Sequence, residues 1–127
     1  MSKITRVKAR QIFDSRGNPT IEAIVFSKNY NSSSICPSGA STGTYEAYEK
    51  RDKSNKKYLG KSVLKAVYII NNKISKKLKN QNVHNQEKID SILINLDGTK
   101  QKTKIGANTI LAVSMAAKKL SSKIKKI

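Results

Sequence analysis

Acidic residues are scarce in this sequence. Eight Asp and Glu stand against 26 Lys and Arg, for a formal net charge of +18 at pH 7. General acid–base work needs paired, positioned groups, and no self-sufficient carboxylate pair stands out. Histidine occurs once, as His84, so no His-based metal cluster or catalytic dyad can be built within the chain. Lying before a polar helix start, His84 reads as a surface residue. The lone cysteine, Cys36, excludes an intramolecular disulfide and fits a reducing compartment. At the end of an apolar strand it reads as core filler rather than a nucleophile. No apolar run approaches the ~20 residues of a membrane-spanning helix. The opening MSKITRVKAR has charge but no apolar stretch behind it, so no secretory leader is expected, and the cytoplasm is the expected location. Internal repeats, long linkers and low-complexity tracts are also missing. A length of 127 residues fits one domain, able to bury roughly two-thirds of its unfolded surface.

The excess of positive charge has two readings. A strongly basic chain is the ordinary footprint of a nucleic-acid or acidic-membrane binder. Here, however, the charge comes from 22 Lys and only 4 Arg, beside 15 Ile and 11 Asn. Lys, Ile and Asn share A/T-rich codons, so a biased genome produces the same composition without selection for binding. Base readout and bidentate phosphate contacts favour Arg, and the Lys residues run from Lys3 to Lys126 without forming one block. Composition bias and real polyanion affinity both stay open at this point.

Along the chain, residues 4–13 alternate, with Val7, Ala9 and Phe13 on one side and Lys8 and Arg10 on the other, as in a half-buried strand. Asp14-Ser15-Arg16-Gly17-Asn18-Pro19 is strong turn chemistry. Residues 20–27, rich in Ile, Val and Phe, form a second strand, and residues 32–36 a short third one after a turn at 28–31. Residues 44–51 read as a short helix or turn. The clearest helix is 62–80, where Val63, Val67, Ile70, Ile74 and Leu78 make one apolar stripe and Ser62 offers a cap. A second helix spans about 85–96, with Ile89, Ile92, Leu93 and Leu96 inward and Gly98 as a left-handed stop. A third runs from about 107 to 125 through Ile110, Leu111, Ala117, Leu120 and Ile124, and Ala107, Ala112, Ala116 and Ala117 permit close packing. Strands followed by helices predict an α+β fold: a three-stranded antiparallel meander with helices packed on it.

Three short motifs carry candidate chemistry. Gly60-Lys61-Ser62 mimics the end of a phosphate-binding loop, but the glycine required five residues before Gly60 is Asn55, and no strand precedes it. Nucleotide binding there is rejected. Glu46 and Glu49 would share a helix face, or serve as structural partners for Lys50 or Arg51. The segment Pro37-Ser38-Gly39-Ala40-Ser41-Thr42-Gly43 packs two glycines and three hydroxyl side chains into seven residues. Glycine permits positive φ and close backbone approach to a ligand, and the hydroxyls can meet a phosphate or a metal ion. On composition alone it is also an ordinary surface loop.

PSGASTG followed by EAYEKRD closely resembles the mobile active-site loop near the N-terminus of enolases. DSRGNPT at 14–20, LGKSVLKAV at 59–67, IDSILINLDGT at 89–99 and IGANTILAVSMA at 105–116 are similar to successive enolase segments, in the family's order and spacing. The resemblance covers essentially all of residues 1–127 and implies an enolase N-terminal, lid-bearing domain, with the family's C-terminal β/α barrel absent from this chain. The implied reaction is the reversible dehydration of 2-phosphoglycerate to phosphoenolpyruvate in glycolysis and gluconeogenesis. In the family a Lys base, a Glu acid and the main Mg2+ carboxylate ligands belong to the barrel, so none maps onto this chain, which is expected to be inactive alone. The resemblance makes Ser38, Gly39, Ala40, Ser41, Thr42 and Gly43 the substrate loop, with Ser41 a ligand of the second Mg2+ and Gly39 and Gly43 as hinges. It further implies a homodimer when complete, with Arg10 and Glu22 as ion-pair donors at the subunit interface. The competing reading is a non-catalytic basic module for RNA or another polyanion on an enolase-derived fold. With the charge carried by Lys spread along the chain, nucleic acid is the less favoured partner, and with no long apolar run no membrane partner is expected. Tyr45 and Tyr48 lie where the family varies, and the Lys-rich last helix departs from it.

Overall fold

The computed structural model describes residues 2–36, 63–98 and 106–126. Three strands, β1 (Arg6–Phe13), β2 (Pro19–Ser27) and β3 (Tyr30–Ile35), form an antiparallel sheet in the order β1-β2-β3. The first turn is built by Asp14, whose Oδ1 accepts the N–H groups of Arg16 and Asn18, both at 2.9 Å. Gly17 takes φ +79° there, a conformation an L side chain resists. The second turn is tighter than the sequence suggests, because β3 begins at Tyr30 rather than residue 32, with Lys28 at φ 51°.

Alternation then sorts the sheet into two faces. Val7, Ala9, Ile21, Ala23 and Val25 are buried under helices. Arg6, Lys8 and Arg10 of β1, with Glu22, Ile24 and Phe26 of β2, share the opposite, more open face. The meander and its helical cover are the α+β arrangement expected from the sequence.

The stripe predicted over 62–80 is present but is not one uniform helix. It consists of α1 (Leu64–Ile69), a π-helical turn (Ile70–Ile74) and α2 (Ser75–Leu78). Ile70, Ile74 and Leu78 follow at steps of four, and each such step drifts about 40° around a 3.6-residue helix. The wider π turn absorbs that drift and keeps all three buried. Val63 holds the N-cap position of α1 without a side-chain capping bond, and Ser62, the cap expected from sequence, lies outside the described residues. The π turn and the start of α2 also bring polar side chains onto the outer edge of β1. Asn71 Oδ1 accepts the Ala9 N–H at 2.8 Å while Asn71 Nδ2 donates to the Ala9 carbonyl at 3.3 Å. Ser75 Oγ accepts the Val7 N–H at 3.0 Å. Farther along, Ile4 exchanges backbone bonds with Asn80 and Gln81, each 2.8 Å. An edge strand that would template pairing is thereby closed.

Helix α3 (Gln86–Asp97) starts with Asn85, whose side chain accepts the Lys88 N–H, and stops at Gly98 in the left-handed region, φ 70°. Helix α4 (Ala107–Lys125) lies over β2 and β3. Its Ala112, Ala116 and Ala117 are buried, which lets the backbone approach the sheet closely. Leu111 differs from the expectation: it is 50% exposed. Among residues 107–126 the inward arc is filled by Thr109, Ala112, Val113, Ala116, Ala117 and Leu120, and Leu111 lies outside it.

Candidate functional site

Cys36 and Val63, the described residues that flank 37–62, are both fastened to one end of the sheet. On the outgoing side, the Cys36 N–H donates to the Ile21 carbonyl at 3.1 Å, and the Thr20 hydroxyl donates to the Cys36 carbonyl. On the returning side, the Val63 N–H donates to Gln11 Oε1 at 2.9 Å. Gln11 faces Ile21 and Ile12 faces Thr20 across the β1–β2 ladder, so both feet grip adjacent rungs. Cys36 and Val63 are buried, and the Asp14–Asn18 turn closes the same end. Cys36 is a buried free thiol, as its apolar strand setting suggested. Thr20 and Gln11 were not singled out from sequence. A Thr opening an apolar strand and a Gln in an alternating one are ordinary in composition, and only the register reveals their use.

Ser38, Gly39, Ala40, Ser41, Thr42 and Gly43 lie outside the described residues, as do Glu46, Glu49 and the Gly60-Lys61-Ser62 motif. Arg10 and Glu22 are described and meet each other directly. They are cross-strand neighbours on the open sheet face, with Arg10 Nε 2.5 Å from Glu22 Oε1. The Arg10 side chain is 68% exposed and that of Glu22 13%. Beside them the Arg6 guanidinium sits 4.4 Å from the Phe26 ring centroid, a cation–π contact that holds a second arginine on this face.

Two polar clusters occur elsewhere. His84 is half-buried rather than on the surface, with Nδ1 2.7 Å from Ser121 Oγ, while Asp90 Oδ1 accepts the Ser114 hydroxyl at 2.6 Å and Gln86 Nε2 at 2.9 Å. These contacts tie α3 and the residues just before it to α4. At the α3–α4 junction, buried Asp97 accepts the Gly106 N–H at 3.4 Å. A carboxylate at the start of α4 complements the helix dipole. Among the described residues, no group of three or more His, Cys, Asp or Glu could hold a metal ion, and no helix is long and apolar enough to cross a membrane.

The family model for the enolase N-terminal domain matches residues 4–127. The chain is 72% identical over 127 residues to Enolase of Pelagibacter ubique (strain HTCC1062), a match that covers 100% of this chain and 30% of that protein. It therefore spans less than a third of that relative's length. With three antiparallel strands followed by helices and a family match over nearly every residue, the chain belongs to the enolase N-terminal domain family.

Proposed function

We propose that this chain supplies the mobile lid and part of the subunit interface of an enolase, the hydro-lyase that interconverts 2-phosphoglycerate and phosphoenolpyruvate. The observation that carries the reading is the 72% identity to Enolase along the whole chain. The anchored feet at Cys36 and Val63 support it physically. A segment that closes over a substrate needs fixed ends, and the Thr20–Cys36 and Gln11–Val63 bonds provide them.

In this reading Ser41 contributes one hydroxyl oxygen to a Mg2+ ion, with Gly39 and Gly43 as the hinges. The donor chemistry fits, because Mg2+ takes hard oxygen ligands and commonly few of them from protein. Mg2+ would supply electrostatic stabilisation of negative charge on the substrate carboxylate. The base, the acid and the other metal ligands would come from a barrel domain, so the 127-residue chain is inactive by itself. Closure of residues 38–43 would exclude water from the reacting centre. On the open sheet face, Arg10 and Glu22 would exchange part of their mutual pairing for contacts with a second subunit, giving a homodimer. The cytoplasm is the compartment that suits this activity.

The test is phosphoenolpyruvate formation from 2-phosphoglycerate with Mg2+, measured on this chain alone and mixed with a separately produced enolase barrel domain. Activity only in the mixture, and lost with Ser41→Ala, is expected. Activity from the chain alone, or a mixture indifferent to Ser41→Ala, would overturn the reading.

A further inference from the structure

The residues that flank 37–62 are held unequally. On the outgoing side Cys36 continues the sheet: its N–H donates to the Ile21 carbonyl at 3.1 Å, and its own carbonyl accepts the Thr20 hydroxyl. On the returning side Val63 belongs to no strand. Among the described residues one hydrogen bond ties its backbone to the sheet, from its N–H to Gln11 Oε1 at 2.9 Å. Gln11 and Ile21 are cross-strand partners, so a single rung of the β1–β2 ladder receives both flanking residues. The two attachments differ in kind. Ile21 offers a backbone carbonyl fixed by the sheet, whereas Gln11 offers the tip of a side chain.

Val63 is also the N-cap of the helical run that begins with α1, and it has no side-chain cap of its own. The first N–H groups of a helix lack intrahelical partners, and a buried donor left without one is costly. Val63 is buried, so Gln11 caps this run from outside, across 52 positions of sequence. Downstream the same run is docked by other means. Asn71 and Ser75 bond Ala9 and Val7, and Ile70, Ile74 and Leu78 are buried. Loss of the Gln11 bond therefore leaves the run docked from the π turn onward and loosens its first turn. That turn is where the chain comes back from residues 37–62.

We propose that Gln11 is a positioning residue for the lid. It fixes where the returning side re-enters the fold, and through that the fraction of molecules whose lid can bring Ser41 to a metal ion. The proposal rests on the lid reading above. When only a fraction of molecules is competent to bind, the apparent dissociation constant rises in inverse proportion to that fraction. Loss of the hook should therefore weaken apparent affinity for Mg2+ and for 2-phosphoglycerate and spare the rate of the saturated enzyme. The role needs one acceptor oxygen, which glutamate also carries.

The test compares Gln11→Met, which keeps the length of the side chain and removes the acceptor, with Gln11→Glu, which keeps an acceptor. Asn71→Ala is the control, since it loosens the same helical run and leaves the Val63 bond in place. On the 127-residue chain, amide exchange at Val63 should be about fivefold or more faster in Gln11→Met, as expected for loss of one hydrogen bond, and unchanged in the other two. In the mixture with the enolase barrel domain, Gln11→Met should raise KM for 2-phosphoglycerate and the Mg2+ concentration for half-maximal rate about fivefold each, with kcat within about twofold. Gln11→Glu and Asn71→Ala should stay within about twofold of the parent in all three. If Gln11→Met fails to fold, Gln11→Ala removes the same acceptor and takes its place. Unchanged exchange at Val63, a Ser41-dependent mixture in which Gln11→Met leaves both concentrations unchanged, or equal impairment by Gln11→Glu or Asn71→Ala would each overturn the proposal and leave the lid reading standing. A mixture indifferent to Ser41→Ala would remove the lid reading and this proposal together.

Discussion

Thr20 is the sharpest place to perturb the frame that holds the 37–62 segment. It is 3% exposed, and its hydroxyl donates to the Cys36 carbonyl, the last described residue before that segment. Thr20→Val keeps the size, the branching and the strand preference of the side chain and removes only the donor. Losing one hydrogen bond in a buried setting costs about 1–2 kcal/mol. For a domain of this size that lowers Tm by roughly 3–8 °C. Urea unfolding followed by far-UV circular dichroism gives the stability change, and an unchanged slope with denaturant would place it in the native state. Amide exchange at Cys36 reports whether the foot itself loosens. Thr20→Ser is the control: it keeps the donor and loses a buried methyl, so it should destabilise the fold while preserving the exchange protection of Cys36. If Thr20→Val lies within about 0.3 kcal/mol of the parent and Cys36 exchange does not change, the hydroxyl does not fasten the foot.

Asn71→Ala removes both bonds to Ala9 on the β1 edge, and an expected loss of about 1–2 kcal/mol in urea unfolding should be accompanied by faster exchange of the Ala9 amide. Gly98→Ala forces a side chain into φ 70°, although the nearest atom to the added carbon, the Asn95 carbonyl oxygen, is 3.7 Å away; strain without a clash predicts a loss of about 1–2 kcal/mol, checked by thermal melting. Glu22→Gln should change monomer stability by less than about 1 kcal/mol, since Arg10 is largely exposed. In a complete two-subunit protein the same change should raise the dimer dissociation constant by ultracentrifugation if the open sheet face is the interface.

Much of the fold is legible in the residues because the local signals agree with one another. The Asp14–Pro19 turn, the alternating strands and the Gly98 stop each name a geometry that one or two residue types satisfy, and all three are found. The π turn was not legible. The stripe Ile70, Ile74, Leu78 fits an α-helix loosely, and the demand for Asn71 and Ser75 at the β1 edge is tertiary. Leu111 was misplaced for a related reason: apolar character says that a side chain can be buried, and only the helix phase says whether it is. His84 followed the same pattern, since its contact with Ser121 joins residues 37 positions apart.

At the site, sequence located the glycine- and hydroxyl-rich segment by resemblance and paired Arg10 with Glu22 only as residues of one surface. The register showed that these two are direct cross-strand partners. It also exposed Thr20 and Gln11, whose importance depends on where the chain leaves and re-enters the sheet. Residue type alone holds no trace of that position.

The decisive measurement is a chimera in which residues 1–127 of this chain replace the matching N-terminal portion of the Pelagibacter ubique Enolase, assayed for phosphoenolpyruvate formation. A working lid domain gives a chimera with kcat/KM within about tenfold of that parent enzyme, and Ser41→Ala then removes most of the activity at saturating Mg2+. A folded chimera without activity, or one that Ser41→Ala leaves unchanged, would contradict the assignment of residues 38–43 as the lid.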